Sequence, residues 1–190
     1  YADYALPTVT FTLGGSNVEK TKTAVTLDAN GQATYRFTMW STTASLTASY
    51  DEVTVTKTLE YIIVDDGSFR ALSELVWFNS ELELTHDYVY SDSDTITEGI
   101  LIQRKITING NGNIIDAKGK TRIFTSDREY DYQVTFNNIS FINGKAEYAS
   151  AILIDYYCDN YKIINCNFTN NTATTYGGVI DCIGDYCTKI

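Results

Sequence analysis

The sequence predicts an all-β protein in two parts, an antiparallel β-sandwich followed by a parallel β-helix, with a capping helix between them. Three observations predict it. The first third alternates apolar and polar residues with a period of two. One stretch near residue 70 has helical spacing. The second half repeats itself at intervals of 27–29 residues, with Asn and Gly at the joints. The expected division is 1–65 for the sandwich, incomplete as it stands, 66–98 for a linker and capping helix with a first strand, and 99–190 for truncated β-helical coils.

Composition bounds the function. A chain of 190 residues with 44% hydrophobic and 20% charged residues is globular rather than disordered. Its 14 Lys and Arg stand against 24 Asp and Glu, a net charge of −10. Nucleic acid and anionic membranes reward a basic surface, so neither is expected as a partner. No apolar run approaches the roughly 18 residues of a membrane helix, so this segment is not expected to insert. A chain that starts at Tyr1 with neither a signal-like segment nor a wall-sorting tail is expected to be a segment of a longer precursor.

In the first part, Val9, Phe11 and Leu13 alternate with threonines, and Thr23-Ala24-Val25-Thr26-Leu27 continues the pattern. Ala33, Tyr35, Phe37 and Met39 follow, then Leu46, Ala48 and Tyr50, then Val53, Val55, Lys57, Leu59, Tyr61 and Ile63. With turns at Gly14-Gly15, Asn30-Gly31 and Tyr50-Asp51, this reads as five strands of a sandwich. Residues 22–64 resemble the immunoglobulin-like repeats of bacterial and archaeal surface proteins. The likeness rests on a Thr/Val strand leading to Asp28-Ala29-Asn30-Gly31-Gln32-Ala33-Thr34-Tyr35 and later to Leu46-Thr47-Ala48-Ser49-Tyr50. It implies a stalk module that holds a binding element away from the cell. Lys57 falls on the apolar face by parity. An isopeptide crosslink in a dry core is one reading, and a stem that packs while the ammonium reaches the edge is the other.

Asp65-Asp66-Gly67-Ser68 is a linker, and Ser68 or Asp66 can cap the helix that Phe69, Leu72, Leu75 and Val76 outline up to Asn79. A helix is expected there because the open end of a solenoid exposes apolar core and unpaired strand edges. The coils then align on themselves. Val134, Asn138, Phe141, Asn143 and Ala146 fall over Tyr161, Asn165, Phe168, Asn170 and Ala173 at an offset of 27, and Ile152-Leu153 over Val179-Ile180. Ile106-Thr107-Ile108 precedes Val134-Thr135-Phe136 by 28, and Ile123-Phe124 precedes Ile152-Leu153 by 29. Asn at the corners suits left-handed backbone, and its amide can ladder along the stack.

The string from Lys105 to Phe124, with Asn109-Gly110-Asn111-Gly112-Asn113 at its centre, is the most specific in the chain. Together with Asn138-Ile139-Ser140-Phe141-Ile142-Asn143-Gly144 and Asn167-Phe168-Thr169-Asn170-Asn171-Thr172-Ala173, it resembles the adhesin-like surface proteins of methanogenic archaea. Those are similar to β-helical autotransporter and polymorphic outer-membrane repeats. The resemblance covers residues 65–190. It implies an immunoglobulin-like sandwich followed by a capped right-handed parallel β-helix, displayed extracellularly on the cell surface. It also implies attachment to a cell-surface polysaccharide or protein, with no catalytic residues and no cofactor.

Candidate chemistry is sparse. Asp155 and Asp181 end equivalent strands if one loop is a residue shorter, and two stacked carboxylates would suit acid–base work. The alternative is a pair of solvated corner residues, and no catalytic residue is assigned. His86 is the one histidine, which rules out a His-based metal cluster, and it is expected at the surface. Asp92-Ser93-Asp94-Thr95, with Glu98, lacks the glycine and ligand order of a calcium loop and reads as a solvated turn, so no metal is expected. Cys158, Cys166, Cys182 and Cys187 match no zinc spacing. Cys166 stands where the repeat has Ile139 and is expected inside. A loop disulfide, Cys158–Cys187 or Cys158–Cys182, suits an oxidising exterior. Asn138, Asn167 and Asn170 begin glycosylation sequons. For binding, the candidates are Tyr130, Tyr132, Tyr156, Tyr157, Asp159 and Tyr186. Exposed tyrosines beside Asp and Asn stack on sugars or grip proteins at low entropic cost, and corner packing is the alternative. Two other functions compete with adhesion: a sheath or filament subunit self-associating through open edges, and a carbohydrate-active β-helix enzyme.

Overall fold

The structure is a computed structural model describing residues 7–14, 22–36, 43–126, 132–155, 160–175 and 178–183. The chain forms two compact units, Tyr1–Ile62 and Ile63–Ile190.

In the first unit, β1 (Thr8–Gly14), β2 (Lys22–Thr26), β3 (Thr43–Tyr50) and β4 (Val53–Glu60) form an antiparallel sheet in the order β2-β1-β3-β4. Asp51, at φ 52°, makes the tight β3–β4 turn. Across that hairpin Thr47 and Thr56 exchange a hydroxyl hydrogen bond of 2.9 Å. Leu13 and Ala44 are buried, with Leu46 packed against them. The expected strand at Ala33–Met39 is absent over its described part, 33–36. There the Asp28 carboxylate accepts the Asn30 and Gln32 N–H groups, which closes a loop in place of a ladder. Tyr35 is placed by its ring, stacked on Phe11 at 5.4 Å. Val53, Val55 and Lys57 are all exposed, so Lys57 lacks the dry surroundings that an isopeptide crosslink requires.

The second unit is a β-solenoid. Its rungs are β5 (Glu81–Glu83), β6 (Tyr88–Val89) and β7 (Ile100–Ile102), then β8 (Ile106–Asn109), β9 (Ile114–Asp116) and β10 (Phe124–Ser126). β11 (Val134–Asn137), β12 (Ser140–Ile142), β13 (Lys145–Ala146) and β14 (Ile152–Asp155) make the next. β15 (Tyr161–Ile164), β16 (Asn167–Thr169), β17 (Thr172–Ala173) and β18 (Ile180–Ile183) follow. Three parallel sheets result, each four strands deep: β15-β11-β8-β5, β16-β12-β9-β6 and β18-β14-β10-β7. β13 and β17 pair beside them.

Alternation along each strand sends apolar side chains inward as columns: Leu82, Ile108, Phe136 and Ile163 on the first sheet, Tyr88, Ile115, Phe141 and Phe168 on the second, Ile100, Phe124, Ile152 and Ile180 on the third. Together they form a single core. Backbone N–H and C=O groups are satisfied between rungs, which lets two- to four-residue strands persist. Asn111, Asn138, Asn143, Asn165 and Asn170 turn the corners at φ 51–55°. Amides also ladder as expected: Asn137 Nδ2 donates to Asn109 Oδ1 at 3.2 Å, and Asn109 Nδ2 in turn donates to Glu83.

Two registers differ from expectation. Phe124, not Ile123, lies beside Ile152, and Ile152 pairs with Ile180 rather than Val179. A one-residue slip would turn a strand inside out, and the observed register is the one that keeps Phe124 and Ile152 in the core. The stack also begins at Glu81, not near Gly99, because β5 and β6 join the sheets.

Helix α1 (Phe69–Phe78) starts at Ser68, whose hydroxyl accepts the Ala71 N–H at 3.1 Å, and ends at Asn79. Phe69, Leu72 and Val76 enter the solenoid core, and Arg104 lies over the Trp77 ring. The turn after β6 is tied to this helix. Asp94 is buried, and its carboxylate accepts the Arg70 N–H at 2.8 Å, the Ser91 N–H at 2.7 Å and the Ser91 hydroxyl at 2.9 Å. The turn is solvated at Asp92, Ser93, Thr95 and Glu98 as expected, and is corrected at Asp94, which anchors the helix N-terminus. Asp94→Ala leaves those donors unpaired and is expected to lower stability by about 1–3 kcal/mol in urea unfolding. Asp92→Ala, at an exposed neighbour, is expected to change it by less than about 0.5 kcal/mol.

Candidate functional site

Parity sends the polar residues of each strand outward, so the sheets present their outer faces as grids. The first sheet carries the most polar one over its described rungs. Ile106, Val134 and Tyr161 point into the core, which turns Lys105, Gln133 and Asn160 outward in one column. Two residues further along, Thr107, Thr135 and Lys162 form a second column. These six residues line a groove of about 240 Å³. Columns are about 6.6 Å apart and successive rungs about 4.8 Å. The two lysines therefore stand at opposite corners, their Cα atoms about 12 Å apart on those spacings. Glu81 precedes Thr107 in its column.

A second polar hollow, about 300 Å³, lies at a corner lined by Lys118, Gly119, Asn143, Gly144, Lys145, Asn170 and Thr172. Asp116 supports it from beneath. Burial raises the Asp116 pKa, but hydrogen bonds from Asn143 Nδ2 and the Lys118 N–H, both at 2.8 Å, and from the Lys118 ammonium at 2.9 Å outweigh that. Its carboxyl is held below the ordinary carboxylate value. The folded state thus favours the charged form, so the stability this carboxylate contributes is present above about pH 3.9 and lost as pH falls through the lower folded-state value. The stability gap between the natural chain and Asp116→Asn is expected to be constant near neutral pH and to shrink below about pH 4 in urea titrations.

Among the expected binding residues, only Tyr132 lies within the described residues. It is half-buried and packs against the core, so it is a corner-packing tyrosine. Tyr130, Tyr156, Tyr157, Asp159 and Tyr186 lie outside the described residues. Tyr161, which the repeat aligns with Val134, is buried in β15, and burial pushes its phenol up to about 12. Asp181 pairs with Leu153, and Asp155 with Ile183, so the two residues stand two positions apart along neighbouring strands rather than directly opposite each other.

His86 is half-buried. Its Nε2 lies 3.3 Å from Asp65 Oδ1, while Asp65 Oδ2 accepts the Tyr88 hydroxyl at 2.9 Å. Cys166 packs against the core, as its alignment with Ile139 predicts. Cys182 was a disulfide candidate, but it is a free thiol beside Ile154, directed with Ile180 toward the core instead of into a loop. Burial raises the pKa of both thiols. Cys158 and Cys187 lie outside the described residues. Asn138, Asn167 and Asn170 are exposed, and among the described residues none of their carboxamides is tied into a ladder.

The groove residues escaped the sequence reading because Lys105 and Lys162 become neighbours only after the register of β8, β11 and β15 is known. Their signal was the polar residue on either side of each inward apolar one. Comparison with known proteins gives no match, whether to family models, to curated sequences or to solved structures.

Proposed function

We propose that this chain is an adhesin-like cell-surface segment: an immunoglobulin-like stalk module, a capping helix and a right-handed β-helix that displays side chains for attachment to a polysaccharide or protein. The supporting observation is the stack itself. Its inward columns are almost wholly apolar, and the outer face of its first sheet carries a grid of Thr, Gln, Asn and Lys on strands fixed by backbone pairing to neighbouring rungs. Strands held this way present their side chains at fixed spacings without further backbone ordering on binding, which favours recognition of a repeating partner. The capping role rests on Phe69, Leu72 and Val76, which bury apolar surface against the first rungs. Exposed sequons suit a secreted surface.

Binding of the labelled chain to a broad glycan array and to whole-cell envelopes tests this. Saturable binding to a glycan or envelope component is expected. Binding to neither, or release of oligosaccharide from a bound polymer, would overturn it.

A further inference from the structure

The groove over β8, β11 and β15 narrows the partner. We infer that it is a binding site for an extended acidic polysaccharide, one that carries uronate carboxylates, lying along the stack across successive rungs. This deepens the attachment reading and depends on it.

Four features carry the inference. First, the side chains of Lys105, Thr107, Gln133, Thr135 and Lys162 have no partner among the described residues, so their donors are available to a ligand. Second, the lining holds two ammonium groups and no carboxylate among the described residues, in a chain whose net charge is −10. Such a local reversal of sign selects an anion. Glu81, in the Thr107 column, stands one rung before the groove, where it limits how far an anionic ligand can extend.

Third, the lysines sit at diagonal corners, with Gln133 and Thr135 between them. A compact anion such as phosphate would meet one of them. A polymer with carboxylates recurring every second sugar would meet both, and its hydroxyls would face the amide and hydroxyl groups between. Fourth, rungs recur about every 4.8 Å, comparable to the rise of one sugar along an extended chain, so contacts can repeat in step.

The test is affinity electrophoresis and titration calorimetry of the full chain with polygalacturonate, and with dextran as a neutral polymer, at about 0.15 M salt. Polygalacturonate is expected to retard and bind the natural chain and dextran not to. Lys105→Ala/Lys162→Ala should weaken binding at least tenfold with an unchanged circular dichroism spectrum. Lys118→Ala/Lys145→Ala removes the same charge from the corner hollow and should leave affinity within twofold. No binding of polygalacturonate, or equal losses in the two double variants, would overturn the groove. Retained binding to glycans or envelopes by Lys105→Ala/Lys162→Ala would sink the groove while leaving the attachment reading standing. Loss of that binding in the natural chain would sink both.

Discussion

Phe141→Ala is expected to lower the stability of the solenoid by about 3–5 kcal/mol. One aromatic residue from each of the three sheets meets at this point. Phe141 packs edge-on against Phe136 at 5.5 Å and Phe124 at 6.1 Å, and it stacks on Phe168 of the next rung at 5.0 Å. Phe124 and Phe136 are themselves 5.0 Å apart. All three sheets lean on the same ring, and each rung is fixed by backbone pairing on both sides, so the hole left by alanine cannot collapse. Aromatic pairing adds to the loss. Phe141→Leu keeps most of the volume and should cost less than about 1.5 kcal/mol. For a chain of this size the alanine variant should unfold roughly 10 °C earlier by circular dichroism. A shift under about 2 °C would mean that the three sheets do not converge there.

Gly110→Ala is the second large effect, with an expected loss of about 3 kcal/mol or more. Gly110 sits at the corner between β8 and β9, where the next rung passes directly over it. A methyl group there would collide with the Asn138 carbonyl oxygen and with Ile139 Cγ1. The carbonyl belongs to backbone that also accepts the Gly112 N–H at 2.9 Å, so the rung above cannot yield without breaking its own bonds. Gly112, two residues on, provides the contrast. Its φ is +85° and nothing lies within 4 Å of an added methyl group. Gly112→Ala therefore meets only the backbone penalty, about 1–2 kcal/mol. Urea denaturation of the two variants side by side separates steric from conformational cost. Equal losses would contradict the close approach of the rungs at Gly110.

These two sites also show how far the sequence can be read. The alignment of Val134 with Tyr161, Phe141 with Phe168 and Ala146 with Ala173 appears in the sequence and again in the sheets, because two consecutive rungs share the same corners. Between β9 and β12 the period fails. Gly110-Asn111-Gly112-Asn113 spans a corner that Asn138-Ile139 turns in two residues, so sheet offsets differ on either side of it. At Ile123-Phe124 parity was ambiguous, since both residues are buried, one at a corner and the other in a strand. The first rung was hidden for another reason: β5 and β6 are three and two residues long, too short to display a period. Asp94 looked like a solvated carboxylate because one of the amides it accepts, that of Arg70, comes from a helix 24 residues away in the chain.

The candidate site was less legible than the fold. Tyrosine content drew attention to the loops, whereas the groove is made of residues that look ordinary one at a time. Lys105, Thr107, Gln133, Thr135 and Lys162 become a surface only through strand register. A fold held by backbone pairing between rungs can be inferred from repeats, but a site spread across the rungs depends on each corner being counted correctly.

Disulfide trapping between β8 and β11 tests the parallel stack most directly. In a background with the native cysteines replaced by serine, Lys105→Cys/Gln133→Cys and Thr107→Cys/Thr135→Cys place Cα atoms about 5 Å apart, within bonding range. The crossed pairs, Lys105→Cys/Thr135→Cys and Thr107→Cys/Gln133→Cys, are separated by about 8 Å, beyond it. Mild oxidation, read by mass spectrometry of tryptic peptides, is expected to close the first two pairs and leave the crossed pairs reduced. Closure of the crossed pairs with the direct pairs open would mean antiparallel strands and would contradict the solenoid.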